Sequence, residues 1–202
     1  MLRHPTLDKL NTLRLTGMLR AYEQQLNMPD IETLSTEERL GLMVDCEMTE
    51  RQNRRLKTRL KRAKLRHTAA IEDIDYRHPR GLEKSLMTQL ATSNWVHEHN
   101  NILITGPTGI GKSWLACALG HKACRDGFNV FYARVPRFFR DLALAKGDGR
   151  YPNLMTSLAK TDLLILDDLG TSTPKDEQLR DLLEILDDRY GVRSTAVTSQ
   201  FP

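Results

Sequence analysis

Hydrophobic positions recur with different spacings along this chain, and the change of spacing divides it. Over residues 7–26 apolar side chains fall at Leu7, Leu10, Leu13, Met18, Leu19, Tyr22 and Leu26. The steps are mostly three or four, which predicts one or two amphipathic helices. Pro29 interrupts the run. Ser35-Thr36-Glu37-Glu38 has the form of a capping box, where a hydroxyl and a carboxylate satisfy each other's backbone N–H groups. It opens a second helix through Leu40, Leu42, Met43 and Val44, able to continue into the residues beyond. Residues 67–81 contain Pro79 and Gly81 and read as a linker that packs Ile71, Ile74 and Tyr76 onto the C-terminal domain. A single helix is expected from 82 to about 97.

From there short apolar runs alternate with helical patterns. Residues 101–105, 129–133, 161–168 and 194–200 read as strands. Residues 112–125 (stopped by Gly127), 135–146, 152–160 and 176–190 read as helices. Leu163-Leu164-Ile165-Leu166 is continuously apolar, the mark of a parallel strand buried on both faces. The alternation predicts an α/β three-layer core with a parallel sheet, preceded by a small all-α N-terminal domain. The expected division is 1–67 and 68–202.

Two motifs supply chemistry. Gly106-Pro107-Thr108-Gly109-Ile110-Gly111-Lys112-Ser113 matches G-x-x-x-x-G-K-[ST] between an expected strand and an expected helix. Backbone N–H groups of such a loop, together with the positive end of the helix, cradle phosphates. Lys112 is placed to reach the β- and γ-phosphates and Ser113 to ligate Mg²⁺, so ATP and Mg²⁺ are the expected ligands. The second motif is the pair Asp167-Asp168 at the end of the apolar strand. At that edge of a parallel sheet Asp167 can hold Mg²⁺ through water, and Asp168 can orient or deprotonate an attacking water. The polar residues ending the 194–200 strand would emerge near the γ-phosphate.

Composition adds limits. The 202 residues are 40% hydrophobic and 28% charged, enough for a packed core and a polar surface. No apolar stretch approaches the ~20 residues needed to span a bilayer, and the N-terminus has no signal-peptide pattern. Three cysteines, Cys46, Cys117 and Cys124, show no C-x-x-C spacing, which suits a reducing, cytoplasmic setting. His97 and His99 have no accompanying ligand cluster and read as surface residues.

The net charge of +4 is unevenly spread. Residues 51–66 carry nine basic side chains (Arg51, Arg54, Arg55, Lys57, Arg59, Lys61, Arg62, Lys64 and Arg66) and no acidic one. Like charges at helical spacing repel, so the block calls for an anionic partner, with nucleic-acid phosphate first. An acidic protein or a solvated face is the alternative. An interfacial membrane helix is disfavoured because the seam of Leu56, Leu60 and Ala63 lacks large aromatic residues. Arg137, Arg140, Lys146 and Arg150, interleaved with Phe138, Phe139 and Tyr151, suggest a groove that tracks a strand, although paired Phe residues are more often core.

The order GPTGIGKS, LLILDDLG, LLEILDDRYGVRSTAVTSQFP resembles the IstB-like transposition helper ATPases of insertion sequences, AAA+ relatives of the helicase loader DnaC and the initiator DnaA. The likeness extends over residues 1–202. It implies an AAA+ P-loop core and the roles given above for the phosphate loop, Asp167 and Asp168, and it matches Gln200 to the sensor-1 polar residue. It also implies a protein that assembles with ATP as a homo-oligomer around duplex DNA, bends it, and presents a target site to the transposase of the same element. Members of that family continue into a further strand, a lid region and an arginine given to the neighbouring subunit, so the chain is expected to be C-terminally truncated, with turnover in question. Arg189 and Arg193 are the basic residues expected nearest the γ-phosphate edge, and neither is assigned that arginine's role. Alternatives are a DnaC-type helicase loader and a hydrolysis-deficient DNA-binding scaffold. A small-molecule kinase is disfavoured because no Arg-rich lid insertion is present.

Overall fold

The computed structural model describes residues 5–77, 81–171 and 173–201. Pro79 of the expected linker and Pro202 lie outside them. The chain forms two compact units divided between Thr58 and Arg59, nine residues before the expected boundary and within a helix.

The N-terminal unit is helical. Helices α1 (Pro5–Thr12) and α2 (Thr16–Leu26) bury Leu10, from the expected apolar positions, and Ala21. Helix α3 (Thr36–Ala63) is uninterrupted for 28 residues. Its start is the expected capping box: the Glu38 backbone N–H donates to Ser35 Oγ (3.2 Å), and the Ser35 N–H donates to Glu38 Oε2 (2.7 Å). Mid-helix, Glu47 accepts the backbone N–H groups of Gly17 (2.8 Å) and Met18 (3.3 Å), which α2 leaves without helical partners. Burial opposes the charge on Glu47, but these bonds and one from Arg51 outweigh it and hold its pKa low. Lys64 turns the chain out of α3 with φ +53°, so the basic block is helical only through Ala63.

The second unit's core includes Ile71 and Ile74, which pack with Met87 and Leu119 as expected of the linker, while Tyr76 stays more exposed. The expected single helix over 82–97 is two, α4 (Lys84–Leu90) and α5 (Asn94–His97). The reason is local competition for backbone groups. Thr92 Oγ1 donates to Gln89 O (2.7 Å), Ser93 takes a left-handed φ of +58°, and its hydroxyl is drawn to Asp126 Oδ2 (2.6 Å).

Strands β1 (Ile102–Thr105), β2 (Val130–Arg134), β3 (Leu163–Leu169) and β4 (Ser194–Ser199) form a parallel sheet in the order β1-β4-β3-β2. Helix α6 (Lys112–Arg125) covers one face; Gly120 lets it approach β3 so closely that a Cβ would lie 2.7 Å from Ile165 Cδ1. Helices α7 (Val135–Gly147), α8 (Tyr151–Lys160) and α9 (Asp176–Arg189) cover the other, enclosing Phe138, Phe139, Leu142, Leu158 and Ile185 against Leu164 and Leu166. The three-layer α/β core with a preceding helical region is therefore present. Since all strands are parallel, the loop after β1 and the ends of β2, β3 and β4 share one edge.

Candidate nucleotide-binding site

Residues 106–113 connect β1 to the first turn of α6, as the motif requires. Gly106 has φ +141°, and a Cβ there would lie 2.5 Å from Ile110 Cδ1. Gly111 caps α6 with φ +93°, a left-handed value that suits glycine. These positions turn the chain tightly while aiming the free N–H groups of α6 outward. Lys112 Nζ donates to Gly106 O (2.6 Å) and Pro107 O (2.8 Å), so the ammonium lies over the loop it belongs to. Thr108 and Gly109 are exposed, and Ile110 and Ser113 are half-buried.

At the end of β3, Asp167 has no solvent exposure. A carboxylate so placed requires hydrogen-bond donors. Tyr132 Oη donates to Asp167 Oδ2 and Thr198 Oγ1 donates to Asp167 Oδ1, both at 2.6 Å. Burial, and then the bond to Asp167, push the Tyr132 hydroxyl well above its ordinary pKa. The Arg66 guanidinium stands 4.0 Å from Asp167.

Asp168 departs from the strand with φ +63°. The pairing explains why: Leu166 faces Val197 and Leu169 faces Ser199, so β3 spends one residue more than β4 and bulges at the carboxylate pair. The Asp168 N–H donates to Thr198 Oγ1 (2.9 Å), and its carboxylate accepts from Arg134 Nε (2.6 Å). That bond raises the Arg134 pKa. Thus the residue expected to act on water is ion-paired. Gln200 lies one residue beyond β4 and is exposed at the same edge, whereas Thr198 touches both aspartates.

Do these residues suit Mg²⁺? Cys117 is fully buried one turn before Gly120, on the face of α6 that packs against β3, and burial raises its pKa. Ser113 is one turn earlier on that face. A hydroxyl and a carboxylate are the hard oxygen donors this ion takes, with water and phosphate completing its shell. Both Asp167 oxygens already accept hydroxyl bonds, which agrees with contact through water. The set fits. No group of three or more His, Cys, Asp or Glu able to hold a metal occurs among the described residues, so His97 and His99 form no such cluster.

Other expectations are redistributed. Arg189 and Arg193 are at the opposite, N-terminal edge of the sheet. Arg189 is 1% exposed and donates to Leu158 O, Thr161 O, Ser194 O and Thr195 Oγ1. Burial lowers its pKa to about 10. Phe138 and Phe139 are core, Lys146 is bound to Glu177 and Asp181, and Arg150 to Asp148. Of that cluster Arg137 and Arg140 remain exposed without an ion pair among the described residues. In the basic block Arg51 pairs with Glu47, Arg54 donates to Thr16, and Arg59 donates to Cys124 O. Arg55, Lys57, Lys61 and Arg62 are exposed and unpaired among the described residues.

Several site residues escape sequence reasoning. Tyr132, Arg134 and Thr198 reach the aspartates only through strand register, which no local pattern displays. Beside the loop is a cavity of about 280 Å³ whose lining includes Leu82, Met87, Ile104, Ile110, Trp114 and Leu115. Their apolar spacing signals only core.

A phosphate cradle after β1 and a buried aspartate ending β3, on this sheet, define a P-loop nucleotide-binding core. Residues 8–202 match the family model described as IstB-like ATP binding protein, and the chain belongs to that family. It is 54% identical over 202 residues to an insertion sequence ATP-binding protein, y4pL, of Sinorhizobium fredii, covering all of this chain and 82% of the relative. It is 47% identical over 203 residues to the insertion sequence IS1162 ATP-binding protein of Pseudomonas fluorescens, covering all of this chain and 88% of that one. In fold it resembles AMPPCP-bound DnaA from Aquifex aeolicus (TM-score 0.61, 21% identity, 69% of this chain and 43% of DnaA). It also resembles the DnaC helicase loader (TM-score 0.55, 22% identity, 66% and 77%). No helix among the described residues is long and apolar enough to cross a membrane.

Proposed function

We propose that this chain is an ATP-hydrolysing, DNA-binding helper of insertion-sequence transposition, which assembles on duplex DNA with ATP and presents target DNA to the transposase of the same element. The observation that carries the reading is the pairing of a phosphate cradle, residues 106–113, with the buried, doubly hydrogen-bonded Asp167 at the same sheet edge. The names of the insertion-sequence relatives favour transposition over helicase loading.

In this reading the loop N–H groups and Lys112 bind the phosphates, and the apolar cavity beside them takes the base. Ser113 and, through water, Asp167 would hold Mg²⁺, which supplies charge neutralisation at the phosphates. Asp168 orients or deprotonates water once Arg134 releases it, and Gln200 faces the γ-phosphate. The helical N-terminal region with the 51–66 block at its end is the DNA-binding region, and the unit that begins at Arg59 carries the ATPase core. Free cysteines, two of them buried, suit a cytoplasmic setting.

Titration with a fluorescent ATP analogue tests the site. Lys112→Ala is expected to weaken binding about tenfold or more, the loss of a charge-assisted hydrogen bond of roughly 1.5–3 kcal/mol. Unchanged affinity would remove the phosphate-loop assignment.

A further inference from the structure

The segment that leaves α3 forms a strap that runs to the nucleotide site. Lys64 turns the chain with φ +53°, and its neighbours are drawn into the second unit: Ala63 and Ala69 are buried. Leu65 fills the space that Gly120 leaves on α6, where a Cβ would lie 3.0 Å from Leu65 Cδ2. The backbone N–H groups of Arg66 and His67 reach the buried Cys117 thiol, one turn earlier on the same helix. Anchored on both sides in this way, the strap has little freedom to aim its side chains elsewhere.

Arg66 is the side chain that the strap delivers. Its guanidinium stands 4.0 Å from Asp167 Oδ2, the one ion pair of Asp167 among the described residues. It also lies within hydrogen-bond reach of the Tyr132 hydroxyl, which donates to the same oxygen. Lys112 is turned instead to Gly106 O and Pro107 O. Asp167 has no exposure, whereas the Arg66 side chain is 46% exposed. A carboxylate wholly out of water needs a countercharge. Arg66 supplies it without displacing either hydroxyl donor, and its half-solvated position lets it swing away without unfolding anything. The same carboxylate is the expected ligand, through water, of Mg²⁺. A guanidinium and a divalent cation beside one carboxylate repel each other, so each is held more weakly when the other is near. Such coupling is reciprocal.

We propose that Arg66 is a positioning residue of the nucleotide site: it is the countercharge that holds the Asp167 carboxylate in place, directly and through Tyr132, and it competes with Mg²⁺ for that carboxylate. With the site loaded, Arg66 turns outward and the strap loses one tie to the sheet edge. The inference rests on the reading of Asp167 as a Mg²⁺ ligand and adds the residue that opposes the ion there.

Binding of a fluorescent, non-hydrolysable ATP analogue reads the competition without turnover. Affinity is measured in EDTA and in saturating Mg²⁺ for the full chain, Arg66→Gln, Arg66→Lys, Asp167→Asn and the double variant of Arg66→Gln with Asp167→Asn. The ratio of the two affinities is the Mg²⁺ contribution. Near-UV circular dichroism reports a packed core in each variant, and Arg66→Met replaces Arg66→Gln if the latter does not fold. Arg66→Gln is expected to raise the ratio about fivefold or more, the low end of coupling between two sites. Arg66→Lys keeps the charge and is expected to stay near the native ratio. In the Asp167→Asn background, Arg66→Gln is expected to leave the ratio unchanged. A ratio for Arg66→Gln equal to or below the native one would overturn the inference. So would an equal gain in Arg66→Lys, or a gain that persists without the Asp167 carboxylate. A native affinity indifferent to Mg²⁺ would overturn the Mg²⁺ assignment, and this inference with it.

Discussion

At the residue scale, the site depends on hydroxyls as much as on the carboxylates. Thr198 donates to Asp167 and accepts from the Asp168 N–H, so one side chain fixes both members of the pair. Thr198→Val keeps the shape and removes both bonds. It is expected to cost about 1–3 kcal/mol for each buried group left unpaired, read as a lower melting temperature, with Thr198→Ser recovering much of the loss. A melting temperature unchanged by Val would show that Asp167 finds other donors. The motif residues themselves are legible in the sequence because phosphate-loop chemistry is local: glycines, Lys112 and Ser113 act within eight consecutive positions. Thr198 is not, since its role arises only where β4 meets a bulge in β3. The family resemblance points instead to Gln200, two positions on.

At the element scale, whatever a single segment determines can be read from its own residues. Ser35 and Glu38 announce the start of α3, and the continuous apolar run announces β3. Features that depend on competing partners cannot be read this way. Ser93 breaks the expected 82–97 helix because its hydroxyl has Asp126 to bind, thirty-three residues away. Arg189 is close to the expected phosphate edge by its place in the chain, but strand direction puts it at the opposite edge, where it ties α8 and α9 to β4. The basic block is likewise divided by its environment. Arg51, Arg54 and Arg59 have partners within the fold, while Arg55, Lys57, Lys61 and Arg62 face solvent. Replacing those four with Gln should make the salt dependence of duplex affinity shallower, by about 0.9 for each phosphate they no longer neutralise. A slope equal to that of the native chain would assign DNA binding elsewhere, with the exposed Arg137 and Arg140 the first residues to replace.

At the scale of the whole molecule, one chain carries both a nucleotide site and cationic surfaces suited to phosphate. ATP and duplex DNA together are expected to drive assembly, a property no single element possesses. Particle mass in solution reads this without an intermediate step, on a duplex of about 50 base pairs, roughly 170 Å long at 3.4 Å per step. Four samples would be compared: protein alone, with duplex, with a non-hydrolysable ATP analogue, and with both. The expected result is a multi-subunit particle when both are present, lost with Lys112→Ala. A mass of one subunit per duplex, the same with and without the analogue, would contradict ATP-driven assembly on DNA.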